Sequence, residues 1–134
     1  MASDDRLYFR QLLAGRDFAV GDPIATQMRN FAYLIADRQT GDAAHGDAAY
    51  DASDLLGTLE ADGMRLSGVL VTHHHPDHVG GTMMGFTLKG LAELLDRVNV
   101  PVHVNTHEAQ WVSRVTGIPL GDLTSHSHGD VVTV

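Results

Sequence analysis

The segment Thr72-His73-His74-His75-Pro76-Asp77-His78-Val79-Gly80-Gly81 places His73, His75, Asp77 and His78 within six residues. It directly follows Leu66-Ser67-Gly68-Val69-Leu70-Val71, a nearly continuous apolar run of the kind found in strands buried on both faces. Open α/β sheets put their ligand sites at the carboxyl ends of such strands. In extended backbone, side chains two positions apart point the same way. His73 and His75 are therefore expected to converge on one ion, with His74 directed elsewhere. Pro76 fixes the direction of the chain, and Asp77 and His78 add an oxygen and a nitrogen from the far side of the bend. Gly80 and Gly81 allow tight backbone passage beneath it. Three imidazoles and a carboxylate suit zinc, iron or manganese at neutral pH. So short a loop hardly wraps one small cation from four sides, so the four donors are expected to serve two ions. A histidine-rich polar loop holding no metal is the plain alternative.

Working outward, Thr87 is expected to cap a helix whose Leu88, Leu91, Leu94, Leu95 and Val98 share a face, at some cost from Gly90 inside it. Pro101 to Val104 reads as a strand. Thr106 caps a further helix with Ala109, Val112 and Val115, stopped by Gly117 and Pro119. Asp130 to Val134 reads as a final strand. On the amino-terminal side, Asp51 or Ser53 caps a helix with Leu55, Leu56 and Leu59 on its apolar face, ending at Gly63. Beyond a polar lead at Asp4 and Asp5, Tyr8 to Leu13 and Met28 to Ala36 read as strands. Gly21-Asp22-Pro23 between them reads as a loop. Asp37 to Asp42 is a hairpin-type turn, and Ala43 to Ala48 follows as a weak strand of poor β-propensity. Strands followed by alternating helices and strands predict an α/β fold, a layered β-sheet with helices on at least one face.

The chain has 134 residues, with 17 acidic against 9 basic side chains, 9 histidines and no cysteine. Its net charge of −8 argues against a nucleic-acid binder, which usually carries a basic stripe. No apolar run is long enough for a membrane helix, and the opening residues lack the order of a secretory signal. Without cysteine, any metal is held by nitrogen and oxygen. These features predict one cytoplasmic α/β domain.

The spacing His73-x-His75-x-Asp77-His78 after an apolar strand, followed by Val79-Gly80-Gly81, resembles the signature of the metallo-β-lactamase fold. Tyr8-Phe9-Arg10-Gln11-Leu12 and Asn30-Phe31-Ala32-Tyr33-Leu34-Ile35 resemble its glyoxalase II and persulfide dioxygenase branch. The resemblance implies that residues 1–134 form the amino-terminal half of an αββα sandwich, truncated at its carboxyl end. It also implies that His73 and His75 serve a first metal position and Asp77 and His78 a second. Two zinc ions are the expected cofactor, with iron or manganese as alternatives. In dinuclear members a hydroxide bridges the ions, so Asp77 would orient it and take up its proton. The family's further histidine, bridging aspartate and last histidine would lie past Val134. Asp47 matches the aspartate that ends the family's preceding strand.

The implied activity is hydrolysis of a thioester such as an acylated glutathione. A mononuclear iron persulfide dioxygenase is the alternative within the fold. A non-catalytic metal-binding half-domain, self-associating through an exposed sheet face, is the alternative of another class. His103 reads as a sheet histidine and His107 as a surface residue. His126 and His128 form a second His-x-His that reads as a surface turn. Met83-Met84-Gly85-Phe86 reads as core or as cover for the loop.

Overall fold

The computed structural model of the chain describes residues 5–133. The polar lead at Asp4 and the last residue of the Asp130–Val134 segment lie outside the described residues. A six-stranded sheet runs in the order β1-β2-β3-β4-β7-β8. Its strands are β1 (Leu7–Leu13), β2 (Phe31–Asp37), β3 (Asp42–Gly46), β4 (Arg65–Val71), β7 (Val102–Asn105) and β8 (Leu123–His126). The first three are antiparallel, and β3, β4, β7 and β8 are parallel. A separate hairpin joins β5 (Gly81–Met83) to β6 (Phe86–Leu88). The helices are α1 (Pro23–Met28), α2 (Ala52–Ala61), α3 (Pro76–Val79), α4 (Leu91–Leu95) and α5 (Thr106–Thr116).

The crossovers from β3 to β4, β4 to β7 and β7 to β8 all step the same way across the sheet. Right-handed connection then puts α2, α4 and α5 on one face. That face is dry. Leu12, Leu34, Leu55 and Leu59 form one core cluster, and Val69, Val102, Leu91, Leu94 and Val112 form a second. On the opposite face Leu7, Phe9 and Phe31 are exposed, and Tyr33 and Ile35 are half-buried. The α/β layered fold is as the sequence predicts.

Several local expectations are corrected. The Ala43–Ala48 segment does not make a marginal strand. It makes β3, which is central, between β2 and β4. Two strand neighbours and the α2 layer above outweigh the poor propensity of alanine. Gly21-Asp22-Pro23 is not only a loop signal but a helix start. The Asp22 carboxylate accepts from the amides of Ile24 and Ala25, and Pro23 opens α1. Thr87 is not a cap: Phe86–Leu88 is a strand, and the helix begins after Gly90. Asn105, not Thr106, caps α5 by accepting from His107 N.

The last strand is Leu123–His126, four residues long, whereas residues 130–133 form none. Val131 and Val132 favour β-structure, but a strand needs a partner for its backbone groups, and only residues 123–126 lie beside β7.

The backbone beneath the loop is pinned by glycine. A Cβ at Gly80 would fall 2.9 Å from Gly90 N, and one at Gly90 would fall 2.5 Å from Val79 O. The chain leaving the histidine loop and the chain entering α4 thus touch backbone to backbone. This is the close passage that the Gly80-Gly81 pair predicts.

Candidate metal centre

Strand β4 delivers the loop. Its last residues, Val69 and Val71, are locked into the core. The chain leaves the sheet at Thr72, turns at His75 (φ −61°, ψ 137°) and enters α3 with Pro76 in the first helical position. Val79 is fully buried and anchors the far end. His73 lies between two other imidazoles, with ring centroids 4.7 Å from His75 and 4.1 Å from His78. His74 points away, its Nδ1 2.7 Å from Glu108 Oε2 and its ring beside Trp111. Its ring still lies 5.2 Å from that of His75, and the donor atoms that gather within 4.8 Å are those of Asp47, His73 and His78, without His75 or Asp77.

The strand before it supplies a second layer. Asp47 and Tyr50, in the bend between β3 and α2, both adopt left-handed backbone conformations (φ 58° and 68°). For side chains with a Cβ this costs energy and is held in place by the surroundings. Both oxygens of the Asp47 carboxylate are engaged: Oδ1 accepts from Thr72 N at 2.9 Å, and Oδ2 accepts from Thr72 Oγ1 at 2.6 Å. His78 Nδ1 lies 3.0 Å from the same Oδ2. Asp47, His73 and His78 each offer a donor atom within 4.8 Å of the others. Asp47 thereby acts as an orienting group, holding the His78 ring at Nδ1 so that Nε2 faces Asn30 Nδ2 at 3.2 Å and Asp77 Oδ2 at 3.6 Å.

Asp77 is held from the other side. Asn30 Nδ2 donates to Asp77 Oδ2 at 3.0 Å, and Tyr50 Oη donates to Asn30 Oδ1 at 2.9 Å. Asp77 is buried, and its Oδ2 lies 3.6 Å from His78 Nε2. Two donors of one tetrahedral zinc ion stand about 3.4 Å apart, given bond lengths of about 2.1 Å. The donor set thus fits a divalent ion at the Asp77–His78 pair, where Asn30 Nδ2 lies 3.2 Å from His78 Nε2.

Charge agrees with that fit. Burial, and then the neighbouring His78 and His75, lower the pKa of His73, which favours the neutral ring that binds metals. The hydrogen bond to Asp47 raises that of His78. Burial opposes ionisation of Asp47, but the bonds from His78 and Thr72 outweigh it and its pKa falls.

Asn30, Tyr50 and Thr72 are functional contacts that the sequence reading does not assign. Asn30 precedes a recognisable strand, but nothing in its spacing points to Asp77. The paired His126 and His128 do not join this loop: His126 lies on β8 against His103. The Met84–Phe86 segment is a hairpin tip rather than core, with both side chains exposed.

Comparisons with known proteins bear on the family and the fold. A hydroxyacylglutathione hydrolase of Bradyrhizobium sp. (strain ORS 278) is 41% identical over 105 residues, covering 78% of this chain and 34% of the relative. The chain thus spans about a third of that relative's length. Among solved structures, BLEG-1 B3 metallo-beta-lactamase superposes with a TM-score of 0.55 at 23% identity, over 94% of this chain and 53% of that one. A metallo-beta-lactamase from Staphylococcus aureus subsp. aureus COL gives 0.53 at 19% identity, over 75% of this chain and 24% of that one. Both show the shared fold. The family model described as metallo-beta-lactamase superfamily matches residues 36–132. That match starts near the end of β2 and takes in Asp47, the histidine loop and every strand that frames it, so the chain belongs to the metallo-beta-lactamase superfamily.

Proposed function

We propose that this chain carries the metal-binding loop of a metal-dependent hydrolase acting on thioesters of the hydroxyacylglutathione type. The observation that supports it most is the gathering of His73, His75 and His78 beside a buried, doubly restrained Asp77 at the end of β4. His73 and His75 would hold a first divalent ion, and Asp77 with His78 a second, zinc being the best match to the donors. A metal bound there supplies Lewis acidity and a water ionisable near neutral pH. Asp77 keeps Oδ2 against Asn30 and leaves Oδ1 to take up a proton from the attacking water. Asp47 and Thr72 hold the rings of His78 and His73 in orientation. The relatives named as hydroxyacylglutathione hydrolases support the thioester class, and the shared span is limited to about a third of their length.

The test is a panel of thioesters, carboxylic esters and lactams offered to zinc- and iron-loaded protein. Thioester hydrolysis that disappears in the His73→Ala, His75→Ala double variant is the expected result. Turnover of esters or lactams alone would overturn the substrate class. Oxygen uptake with a persulfide, without thioester hydrolysis, would transfer the assignment to an iron dioxygenase.

A second reading rests on the open sheet face with exposed Leu7, Phe9 and Phe31. Contiguous apolar surface of this kind favours association. The chain would then bind metal without turnover and pair with another polypeptide or copy. Sedimentation of the metal-loaded chain decides it: concentration-dependent association supports this reading, and a compact monomer opposes it.

A further inference from the structure

We propose that His103 and His126 form a separate binding site for a borderline divalent transition metal, of the nickel, copper or zinc type, on the sheet face that the helices leave uncovered. The two residues sit on adjacent parallel strands, with His126 opposite Asn105 and His103 opposite Thr124. Register carries His103 into one row with Leu70, Gly46 and Tyr33, which places it on the open face. Neither ring shares a hydrogen bond or a ring contact with the histidine loop among the described residues.

The geometry of the facing nitrogens carries the proposal. His103 Nδ1 and His126 Nε2 are 2.8 Å apart, with ring centroids at 5.0 Å. Two neutral imidazoles at that distance hold one hydrogen between their nitrogens. The other nitrogen of His126 faces a carboxylate: Nδ1 lies 3.4 Å from Asp130 Oδ2. Asp130 is itself brought back by a turn, with Gly129 at φ 90° and Ser127 N donating to Oδ2 at 2.8 Å. The negative charge keeps the His126 proton on Nδ1 and leaves Nε2 with its lone pair. This is the carboxylate–histidine arrangement that orients and strengthens metal-binding imidazoles.

His103 needs only to shift its single ring proton from Nδ1 to Nε2 to present a second lone pair, so no proton is released. A tetrahedral ion with bonds of about 2.0–2.1 Å needs nitrogens about 3.3 Å apart, a spreading of about half an ångström. There is room for it, because Gly68 lies under His103 and a cleft of about 180 Å³ opens between Leu70, Asn105, Ser127 and Asp130. Burial and the neighbouring His126 also favour the neutral form of His103. Imidazole pairs suit zinc, copper and nickel over magnesium or calcium. Water would complete the coordination.

The experiment uses the whole chain carrying His73→Ala, His75→Ala and His78→Ala, so that the loop contributes little. Nickel or zinc is titrated calorimetrically into this protein and into versions that add His103→Gln, His126→Gln or Asp130→Asn. One bound ion is expected in the parent, lost in both histidine variants and weakened about 10- to 100-fold in Asp130→Asn. Copper(II) added in small amount to labelled wild-type protein whose loop is first filled with zinc is expected to broaden amide signals of residues 102–105 and 123–126. Equal binding after either histidine substitution would overturn the site. So would broadening confined to the neighbourhood of His128 or to the loop, which is adventitious or loop binding only. The broadening measurement needs no substitution there, so a variant that misfolds does not shield the proposal.

Discussion

His45 on β3 and His78 in the loop after β4 both feel the charge of Asp47, and they respond in opposite directions. His78 reaches the carboxylate through a 3.0 Å contact at Nδ1 and keeps part of its ring in solvent, so its pKa rises. His45 is fully enclosed, and neither ring nitrogen has a hydrogen-bond partner among the described residues. Burial pushes its pKa down to about 4, although Asp47 pulls the other way. A hydrogen bond to a carboxylate therefore outweighs desolvation, whereas proximity without one does not. One histidine is made more basic by its carboxylate partner and the other is kept neutral.

The largest expected effect follows from His45. With a value of about 4 when folded against 6.5 when unfolded, the unfolded chain binds more protons at intermediate pH. Stability from this group is complete above pH 6.5 and is lost as pH falls toward 4, by about 3 kcal/mol in all. His78 has the opposite sign: its contribution is present below 6.5 and lost as pH rises through its raised value. Urea titrations at a series of pH values, for wild type and His45→Leu, isolate the first term. The variant should lose the acid slope and gain about 1–3 kcal/mol near pH 7, since buried unpaired nitrogens are removed. An unchanged slope would break the contrast.

Next comes Asp47→Asn, which removes the charge that orients His78. Metal affinity at the loop should fall about 10- to 100-fold, read by competition with a chromogenic chelator. Unchanged affinity would mean that Asp47 does no more for the site than it does for His45. Tyr50→Phe should cost about 1 kcal/mol in denaturant unfolding, because it deletes a single bond to Asn30. If loss of metal affinity also accompanies it, restraint of Asp77 passes through the whole Tyr50–Asn30 chain. The smallest effect is expected from Glu108→Gln, whose partner His74 turns its Nδ1 to Glu108 and touches the loop only through the edge of His75. Partly exposed pairs contribute little, so metal affinity should stay within about twofold. A larger drop would bring His74 into the site.

Much of this architecture is legible along the chain because it depends on local periodicity. The apolar run into β4 reads as a strand, Leu55 and Leu59 mark the buried side of α2, and Gly63 (φ 77°) follows the end of that helix. The misreadings share one cause. Asp22-Pro23 and Thr87 carry signals compatible with either a loop or a helix start, and only neighbouring elements select between them. Ala43 and Ala44 lack strand propensity but occupy the centre of the sheet, while Val131 and Val132 possess it and find no partner strand.

By itself, then, the order of residues determined that β4 ends in a bend offering nitrogen and oxygen donors, since alternation and turn chemistry act over a few neighbouring positions. Tertiary packing alone decided what stands behind those donors. Asn30, Asp47 and Tyr50 come from distant segments and meet the loop only once β3 is inserted between β2 and β4. The same assembly aligned His103 with His126 and sealed His45 away from water. Those outcomes depend on which strands become neighbours, and long-range pairing is not written in local spacing.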